Sequence, residues 1–361
     1  MKPRVLAFMA CTLCVSTVLA QISVDVTLVT LVATVTDNNG HYVQNLGTTD
    51  FSVIEDGKEQ KVALVEHSDD LPLSIGVLLD TSFSMRPKIK TAVAAIDRFL
   101  RTLQPTDDIF LMSFAGKPKL EQNFTNDRKR ISKSLQKVQL GSRTALYDAI
   151  EQGIVKVRDG KHPRKALLLV TDGQDTSSSI DLAEALTDVR QARVLLYCLG
   201  IGSFSSRSNS DPGNYPLPSP GKVQRGNPII VIPGGIQIPL PGPVRRQFPS
   251  GGGIPQGQYP GVGIFDSLEA ADMQVLDSLA SASGAKAWLV STDSDNSSSV
   301  MEEVLNEVAV ELRSQYTIGY YPDHPVNDGK WHQVVVRASN SRYDVRSRKE
   351  YFGAGTPTAS R

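Results

Sequence analysis

Asp80, Ser82 and Ser84 carry one carboxylate and two hydroxyls at alternate positions, directly after the apolar run 73–79. Such a run predicts a buried strand that ends at a loop, and the three oxygens would then face the same way. Hard oxygen ligands of this kind suit Mg²⁺, Mn²⁺ or Ca²⁺ better than the softer transition metals. Because Asp-x-Ser-x-Ser occurs by accident in about one chain in ten of this length, a cation site requires partners elsewhere in the sequence.

Two further segments supply matching oxygens. Thr144 lies just before a predicted helix, and Asp172 lies just past a predicted strand. A helix cap is the simpler interpretation of Thr144, and a turn is the simpler interpretation of Asp172 with Gly173. Either is reasonable for one segment alone, but three such segments in order along one α/β pattern are much harder to attribute to chance.

The elements that must position these residues alternate between residues 72 and 315. Buried strands are predicted at 73–79, 109–114, 166–170, 194–201 and 285–290. Helical spacing of apolar residues predicts helices at 87–103, near 131–138, near 146–157, at 180–192, near 273–279 and at 298–313. This alternation predicts a doubly wound, mostly parallel sheet with helices on both faces, in which ligands bind beyond the carboxyl ends of the strands.

The flanks of this α/β unit, residues 21–71 and 316–352, have the alternating pattern of half-buried strands. Asp56 and Gly57 between two such runs are typical of a hairpin turn. Neither flank is large enough to bury a core alone, and chain termini often lie close together. We therefore expect one small β-sandwich built from both flanks, followed by a tail at 353–361.

Residues 203–263 interrupt the α/β pattern between its two parts, 72–202 and 264–315. Twelve of the 21 prolines lie here, which predicts a disordered or extended insertion. The insertion begins at the carboxyl end of the predicted strand 194–201, which is the edge where the metal site is expected. Asp211 is the only acidic residue of the insertion. Asp211 is therefore the one candidate for an intramolecular ligand to the metal.

The first 20 residues differ from the rest, because Lys2 and Arg4 precede an uncharged stretch at 5–20. This pattern indicates a secretory signal peptide cleaved near Ala20, since about 16 apolar residues fall short of the roughly 20 that span a bilayer. A retained membrane anchor is the alternative. We expect a secreted, periplasmic or cell-envelope protein.

Basic and acidic residues are equal in number, at 38 each, so no net field draws the chain to nucleic acid or to an anionic membrane. Cleavage of the leader would remove two of the three cysteines and leave Cys198 in an apolar run, where it is expected to fill the core. The composition leaves the oligomeric state open.

Taken together, the oxygen-bearing segments resemble the complete metal-ion-dependent adhesion site of von Willebrand factor type A domains. The resemblance spans residues 72–202 and 264–315, and its motif positions are Asp80, Ser82, Ser84, Thr144 and Asp172. The flanks around 50–58 and 316–322 are similar to those of a bacterial, exported subfamily related to this domain.

The resemblance implies a role for each position. Ser82, Ser84 and, in the ligand-bound state, Thr144 would bind the cation directly. Asp80 and Asp172 would act mostly through bound water, and a protein partner would supply Asp or Glu as the last ligand. For Asp175 two interpretations stay open, an outer-shell contact at the metal and a cap for the helix predicted from Ile180.

Three other functions are alternatives to a binding module: an enzyme, a chaperone subunit and a structural scaffold. The sequence holds no zinc-protease, nucleophile-elbow or phosphate-loop motif, and its five histidines are scattered over predicted loops and the β flanks, so an enzyme is not expected. An accessory subunit of a chaperone ATPase system would require the leader to remain as an anchor. A structural envelope scaffold, in which the metal only fixes three loops, is the other alternative.

Overall fold

The computed structural model describes residues 28–69, 71–202, 229–232, 236–239, 271–291 and 296–353. The predicted leader, Asp211 and most of the predicted insertion lie outside these residues and stay predictions, as does the tail from residue 354.

Sixteen strands and six helices lie in the described residues. The strands are β1 Val29–Thr36, β2 Phe51–Glu55, β3 Lys58–Gln60, β4 Val62–His67, β5 Leu73–Asp80, β6 Asp108–Phe114, β7 Pro118–Thr125, β8 Arg164–Thr171, β9 Leu195–Gly202, β10 Ile229–Ile232, β11 Ile236–Pro239, β12 Ala287–Ser291, β13 Gln315–Tyr320, β14 Trp331–Ala338, β15 Asp344–Ser347 and β16 Glu350–Phe352. The helices are α1 Ile89–Thr102, α2 Arg128–Leu135, α3 Leu146–Val157, α4 Leu182–Gln191, α5 Met273–Ser283 and α6 Ser297–Arg313.

The central sheet has six strands in the order β12-β9-β8-β5-β6-β7. All neighbours pair in parallel except β6 and β7. Apolar residues of α1, α2 and α6 pack on one face, and those of α3, α4 and α5 pack on the other. The predicted α/β sheet with helices on both faces is confirmed. The antiparallel edge strand β7 was not predicted, because its polar, half-exposed residues give no apolar signal.

The two β flanks form two antiparallel sheets with a common core. One sheet has the order β15-β1-β13-β4 and the other β16-β14-β2-β3, so each contains strands from both flanks. Leu31 of β1 lies opposite Ile318 of β13, and both belong to the shared core with Val53 of β2 and Val334 of β14. The predicted sandwich of both flanks is confirmed, as is the hairpin turn at Asp56 and Gly57 that joins β2 to β3.

Within the predicted insertion, the described residues form a two-stranded antiparallel ribbon, β10 with β11. Pro239 ends the ribbon opposite Ile229, where a missing backbone donor is tolerated. None of the helices in the described parts of the chain is long and apolar enough to cross a membrane.

Candidate metal centre

The three predicted ligand segments lie at the carboxyl edge of the central sheet. Strand β5 has β6 on one side and β8 on the other, so the connections leave it in opposite directions. In open α/β sheets such a reversal of strand order opens a crevice at the carboxyl ends. The pairing of Leu79 with Val170 brings Asp80 beside Thr171 at that crevice.

Asp80 is completely buried and held by two hydrogen bonds. Its Oδ1 accepts from the backbone N–H of Ser82 at 2.8 Å, and its Oδ2 accepts from the Thr171 hydroxyl at 2.6 Å. Thr171 Oγ1 in turn accepts from the backbone N–H of Gly173 at 3.0 Å. These bonds connect the loop after β5 to the loop after β8.

The two serines of the loop after β5 lie next to each other. Ser82 Oγ and Ser84 Oγ are 3.0 Å apart, with Ser82 buried and Ser84 half-buried. A short 3₁₀ turn at Phe83–Met85 brings the two hydroxyls together. Phe83, between them, is 65% exposed at the rim of the site.

Thr144 is buried, and its backbone holds the loop before α3 against the loop after β8. Its N–H donates to Thr176 Oγ1 at 2.9 Å, and its carbonyl oxygen accepts from the N–H groups of Thr176 and Ser177 at 2.8 and 3.0 Å. Because the backbone makes these bonds, the side-chain hydroxyl is not needed to hold the loop.

Asp172 is completely buried beyond β8. Its Oδ1 accepts from the backbone N–H of Gln174 at 3.3 Å, whereas its Oδ2 finds no hydrogen-bond partner among the described residues. Burial and the charge of Asp172 together raise the pKa of Asp80 to about 7, against the opposing effect of its hydrogen bonds. Two buried carboxylates so arranged favour a bound proton or a bound cation.

Asp175 caps a different helix from the one considered in the sequence. Its Oδ1 accepts from the backbone N–H of Leu146 at 2.8 Å, at the first residue of α3. Helix α4 begins instead with a capping box of Asp181 and Glu184. The interpretation of Asp175 as the cap of the helix near Ile180 is therefore wrong, and the residue fixes the start of α3 beside Thr144.

The donors at this edge fit a hard divalent cation. They comprise carboxylate and hydroxyl oxygens, of which Asp172 Oδ2 is buried and unpaired. Mg²⁺, Mn²⁺ and Ca²⁺ prefer such oxygen ligands, and a divalent charge would relieve the repulsion between Asp80 and Asp172.

Comparison with known families agrees with the α/β fold of this region. Residues 75–174 match the family model described as von Willebrand factor type A domain, and all five predicted ligands lie within that range. This part of the chain is therefore similar to a von Willebrand factor type A domain.

Solved structures with a similar fold come from diverse sources. The conserved hypothetical protein BatB from Bacteroides thetaiotaomicron is 17% identical over 66% of this chain and 98% of its own, with a TM-score of 0.41. An aerotolerance-related membrane protein from Bacteroides fragilis is 16% identical over 66% and 99%, with a TM-score of 0.41. Proximal thread matrix protein 1 from the mussel byssus is 13% identical over 70% and 49%, with a TM-score of 0.43. No curated protein matches the chain.

Sequence reasoning missed a second cluster of ligand-type side chains. Two of the histidines interpreted as scattered, His324 and His332, lie against each other and against Glu55 in the sandwich. The signal was the position of His332, which is in phase with the buried residues Val334 and Val336 along β14. A histidine on the core face of a strand needs polar partners, and the sequence did not indicate which.

Proposed function

We propose that the protein is an extracytoplasmic, adhesion-type binding module, which holds Mg²⁺ at this site and engages Asp or Glu of a protein partner. The observation that carries the proposal is the pair of buried carboxylates, Asp80 and Asp172, of which Asp172 Oδ2 has no hydrogen-bond partner among the described residues. A cation there would be held by Ser82, Ser84 and Thr144, with Asp80 and Asp172 acting through bound water.

The donor set explains why the missing ligand would be acidic. Serine and threonine hydroxyls are neutral, so a divalent ion bound directly by them keeps most of its positive charge. A carboxylate is the favoured additional ligand for such an ion. No acidic side chain of the loops is required for direct contact, which leaves this position to another molecule.

The rim of the site has a chemistry that suits an acidic partner. Arg86 and Arg143 are exposed beside the ligand positions Ser84 and Thr144. The guanidinium carbon of Arg86 lies 5.9 Å from the centre of the Phe83 ring, and this ring faces solvent. An exposed aromatic ring flanked by arginine is typical of protein-binding surfaces.

The binding test is a pull-down from cell-envelope extract with immobilised full-length protein, in Mg²⁺ and in EDTA. We expect captured protein that is released by EDTA and is not captured by the Thr144→Ala variant. Thr187→Ala is the matched control, because the Thr187 hydroxyl is exposed on α4 and donates only within its helix. Capture that survives both EDTA and Thr144→Ala would contradict the proposal.

The same variants separate binding from scaffolding. A scaffold whose metal only fixes three loops would lose thermal stability in EDTA without any Mg²⁺-dependent capture. A binding module is expected to lose capture in Thr144→Ala while its far-ultraviolet circular dichroism stays unchanged, because the Thr144 backbone, rather than its hydroxyl, carries the hydrogen bonds that hold the loop.

A further inference from the structure

A cluster of histidine and carboxylate side chains lies within the sandwich, in a different part of the fold from the oxygen site. Its centre is His332, near the start of β14, which is buried. The hairpin turn after β2 contributes Asp56, and the loop between β13 and β14, residues 321–330, contributes His324 and Asp328. One buried ring therefore connects this loop to the hairpin turn.

Both ring nitrogens of His332 face carboxylates. Its Nδ1 lies 2.8 Å from Asp56 Oδ2, and its Nε2 lies 3.1 Å from Asp328 Oδ1. An ionised carboxylate can only accept hydrogen bonds, so each nitrogen must carry a proton to bond in this way. The geometry thus defines an imidazolium held between two carboxylates, with neither nitrogen free to bind a metal.

The two carboxylates belong to different parts of the sandwich. Asp56 lies in the hairpin turn, with a φ of 47°, and its Oδ1 also accepts from the backbone N–H of Gln333 at 2.9 Å. This second bond fixes Asp56 to β14 itself. Asp328 Oδ1 also accepts from the backbone N–H of Lys330 at 2.9 Å, which keeps Asp328 within the loop. Only the bond to Asp328 therefore connects His332 to the loop through a carboxylate.

The other ionisable groups around His332 come from β2, β13 and β16. Glu55, at the end of β2, has an oxygen within 4.8 Å of a ring nitrogen of both His332 and His324. Its Oε1 accepts from the hydroxyls of Tyr320, at 2.8 Å, and Tyr351. The ring of Tyr351 lies 5.3 Å from that of His332. With Asp56 and Asp328, three carboxylates surround the imidazole, a setting that favours its charged form.

His324 brings the loop over the buried ring. The two imidazole rings are stacked, with centres 3.9 Å apart and planes 11° apart. Two imidazolium cations at this separation would repel each other, so one of the two rings is neutral. His324 Nε2 lies 3.3 Å from Glu55 Oε2, but the two atoms are not hydrogen-bonded. The loop therefore contacts the cluster chiefly through the stacked ring and the Asp328 carboxylate.

We propose that protonation of His332 holds the loop 321–330 against the sandwich, and that loss of this proton releases the loop. Without a proton on Nε2, the ring presents a lone pair to the Asp328 carboxylate, and the two groups repel each other. Asp56 retains the proton on Nδ1, because its turn is fixed to β14. Release of the loop would uncover Val326, a buried residue of the sandwich core.

The titration of His332 sets the direction of this change. Burial lowers the pKa of His332, but its hydrogen bonds to Asp56 and Asp328 raise it above the ordinary value of 6.5. The closed loop is therefore fully stabilised below pH 6.5 and loses this stabilisation as pH rises through the raised pKa.

The two aspartates limit the closed state on the acid side. The hydrogen bond from His332 lowers the pKa of Asp328 below 3.8. Burial raises the pKa of Asp56, but its hydrogen bonds from His332 and Gln333 lower it below the same value. The contacts are therefore lost only in strong acid, and the loop is closed in mild acid and released in alkali.

The test follows histidine ring signals by NMR, and loop protection by hydrogen exchange, in the full chain between about pH 5 and 9. We expect His332 to titrate above pH 6.5, with its signal assigned by its absence from His332→Gln. The backbone N–H groups of Gly329 and Lys330 report on the loop, because they donate to Gly353 O at 2.7 Å and Asp328 Oδ1 at 2.9 Å. Corrected for intrinsic exchange, their protection should fall about tenfold per pH unit between pH 6.5 and the raised pKa.

Three variants identify the responsible group. Asp328→Asn keeps a side-chain acceptor but loses the charge, so His332 should titrate at lower pH than in the wild type, and the loop should open at lower pH. His332→Gln has no proton to lose, so its loop protection should be low and independent of pH. His41→Gln is the matched control and should behave as the wild type. His41 is also a sandwich histidine beside a carboxylate, with Nδ1 3.4 Å from Asp37 Oδ2, but it is exposed.

Three results would overturn the proposal. The first is a His332 that titrates at or below pH 6.5, and the second is loop protection in the wild type that does not change with pH. The third is the same pH-dependent loss of protection in the wild type, His332→Gln and Asp328→Asn, because another group would then release the loop. If His332→Gln does not fold, Asp328→Asn decides this comparison alone. Asp80→Asn should keep the wild-type loop profile, so the outcome is independent of the oxygen site.

Discussion

Glu311 of α6 accepts a hydrogen bond of 2.8 Å from the hydroxyl of Tyr197 on β9, which connects the last helix of the α/β unit to its central sheet. The same carboxylate pairs at 2.6 Å with Arg346 of β15, a strand of the sandwich. Glu311 is 1% exposed. One buried charge therefore holds the central sheet, α6 and the sandwich together.

Loss of this carboxylate should destabilise the whole chain. Glu311→Ala removes the carboxylate partner of Arg346 Nη2 and the acceptor of the Tyr197 hydroxyl, and we expect a loss of about 3–5 kcal/mol in the free energy of unfolding. Glu302→Ala is the matched control on the same helix, where the pair with Arg98 lies at the surface and should contribute less than about 1 kcal/mol. Urea unfolding measures the loss of stability in each variant. Equal losses in the two variants would contradict the role given to Glu311.

Stability of the metal-free protein should depend on the protonation of Asp80. Its folded-state pKa of about 7 lies above the ordinary aspartate value of 3.8, so the native state binds more protons than the unfolded state between these values. The free energy of unfolding should therefore fall as pH rises through this window, by up to about 4 kcal/mol at 1.36 kcal/mol per pKa unit.

Urea unfolding in EDTA at several pH values between 4 and 8 checks this dependence. Asp80→Asn cannot ionise and should have a markedly weaker slope than the wild type. Saturating Mg²⁺ should also weaken the slope in the wild type, because the cation offsets the buried charge. Identical slopes for both proteins in EDTA would rule out Asp80 as the group responsible.

Thr171 is predicted to tune the metal site through Asp80. Thr171→Val removes the 2.6 Å hydrogen bond to Asp80 and the acceptor of the Gly173 N–H. Since that bond lowers the pKa of Asp80, its loss should raise the pKa further and weaken Mg²⁺ binding by about 1–3 kcal/mol. Isothermal titration with Mg²⁺ should show the loss in Thr171→Val and near wild-type binding in Thr171→Ser, which keeps the hydroxyl.

Asp175 should affect both stability and metal binding. Asp175→Ala removes the acceptor of the Leu146 N–H and should cost about 1 kcal/mol, as for other helix caps. Asp127→Ala removes the cap of α2, where Asp127 accepts from the N–H groups of Lys129 and Arg130, and should cost a similar amount. Only Asp175→Ala should also weaken Mg²⁺ binding, because α3 begins beside Thr144. Equal Mg²⁺ affinity in the two variants would show that the cap does not position Thr144.

The sequence by itself determined the local parts of this protein. Apolar runs such as 73–79 predicted the buried strands, the alternation of β14 predicted its two faces, and Asp56 with Gly57 predicted a hairpin, because each pattern depends on neighbours within a few residues. The same local patterns placed Asp80, Thr144 and Asp172 at the ends of elements.

Only the tertiary structure decided which of these residues meet. Strand order brought Asp80 against Thr171, which is 91 residues away, and thereby fixed the burial that shifts the pKa of Asp80. The tertiary structure also places Asp175 at the start of α3 rather than at the start of α4. It brings Glu55, His324 and His332 together from distant segments. Contacts of this kind depend on the packing of whole sheets and helices, which no local pattern of residues contains.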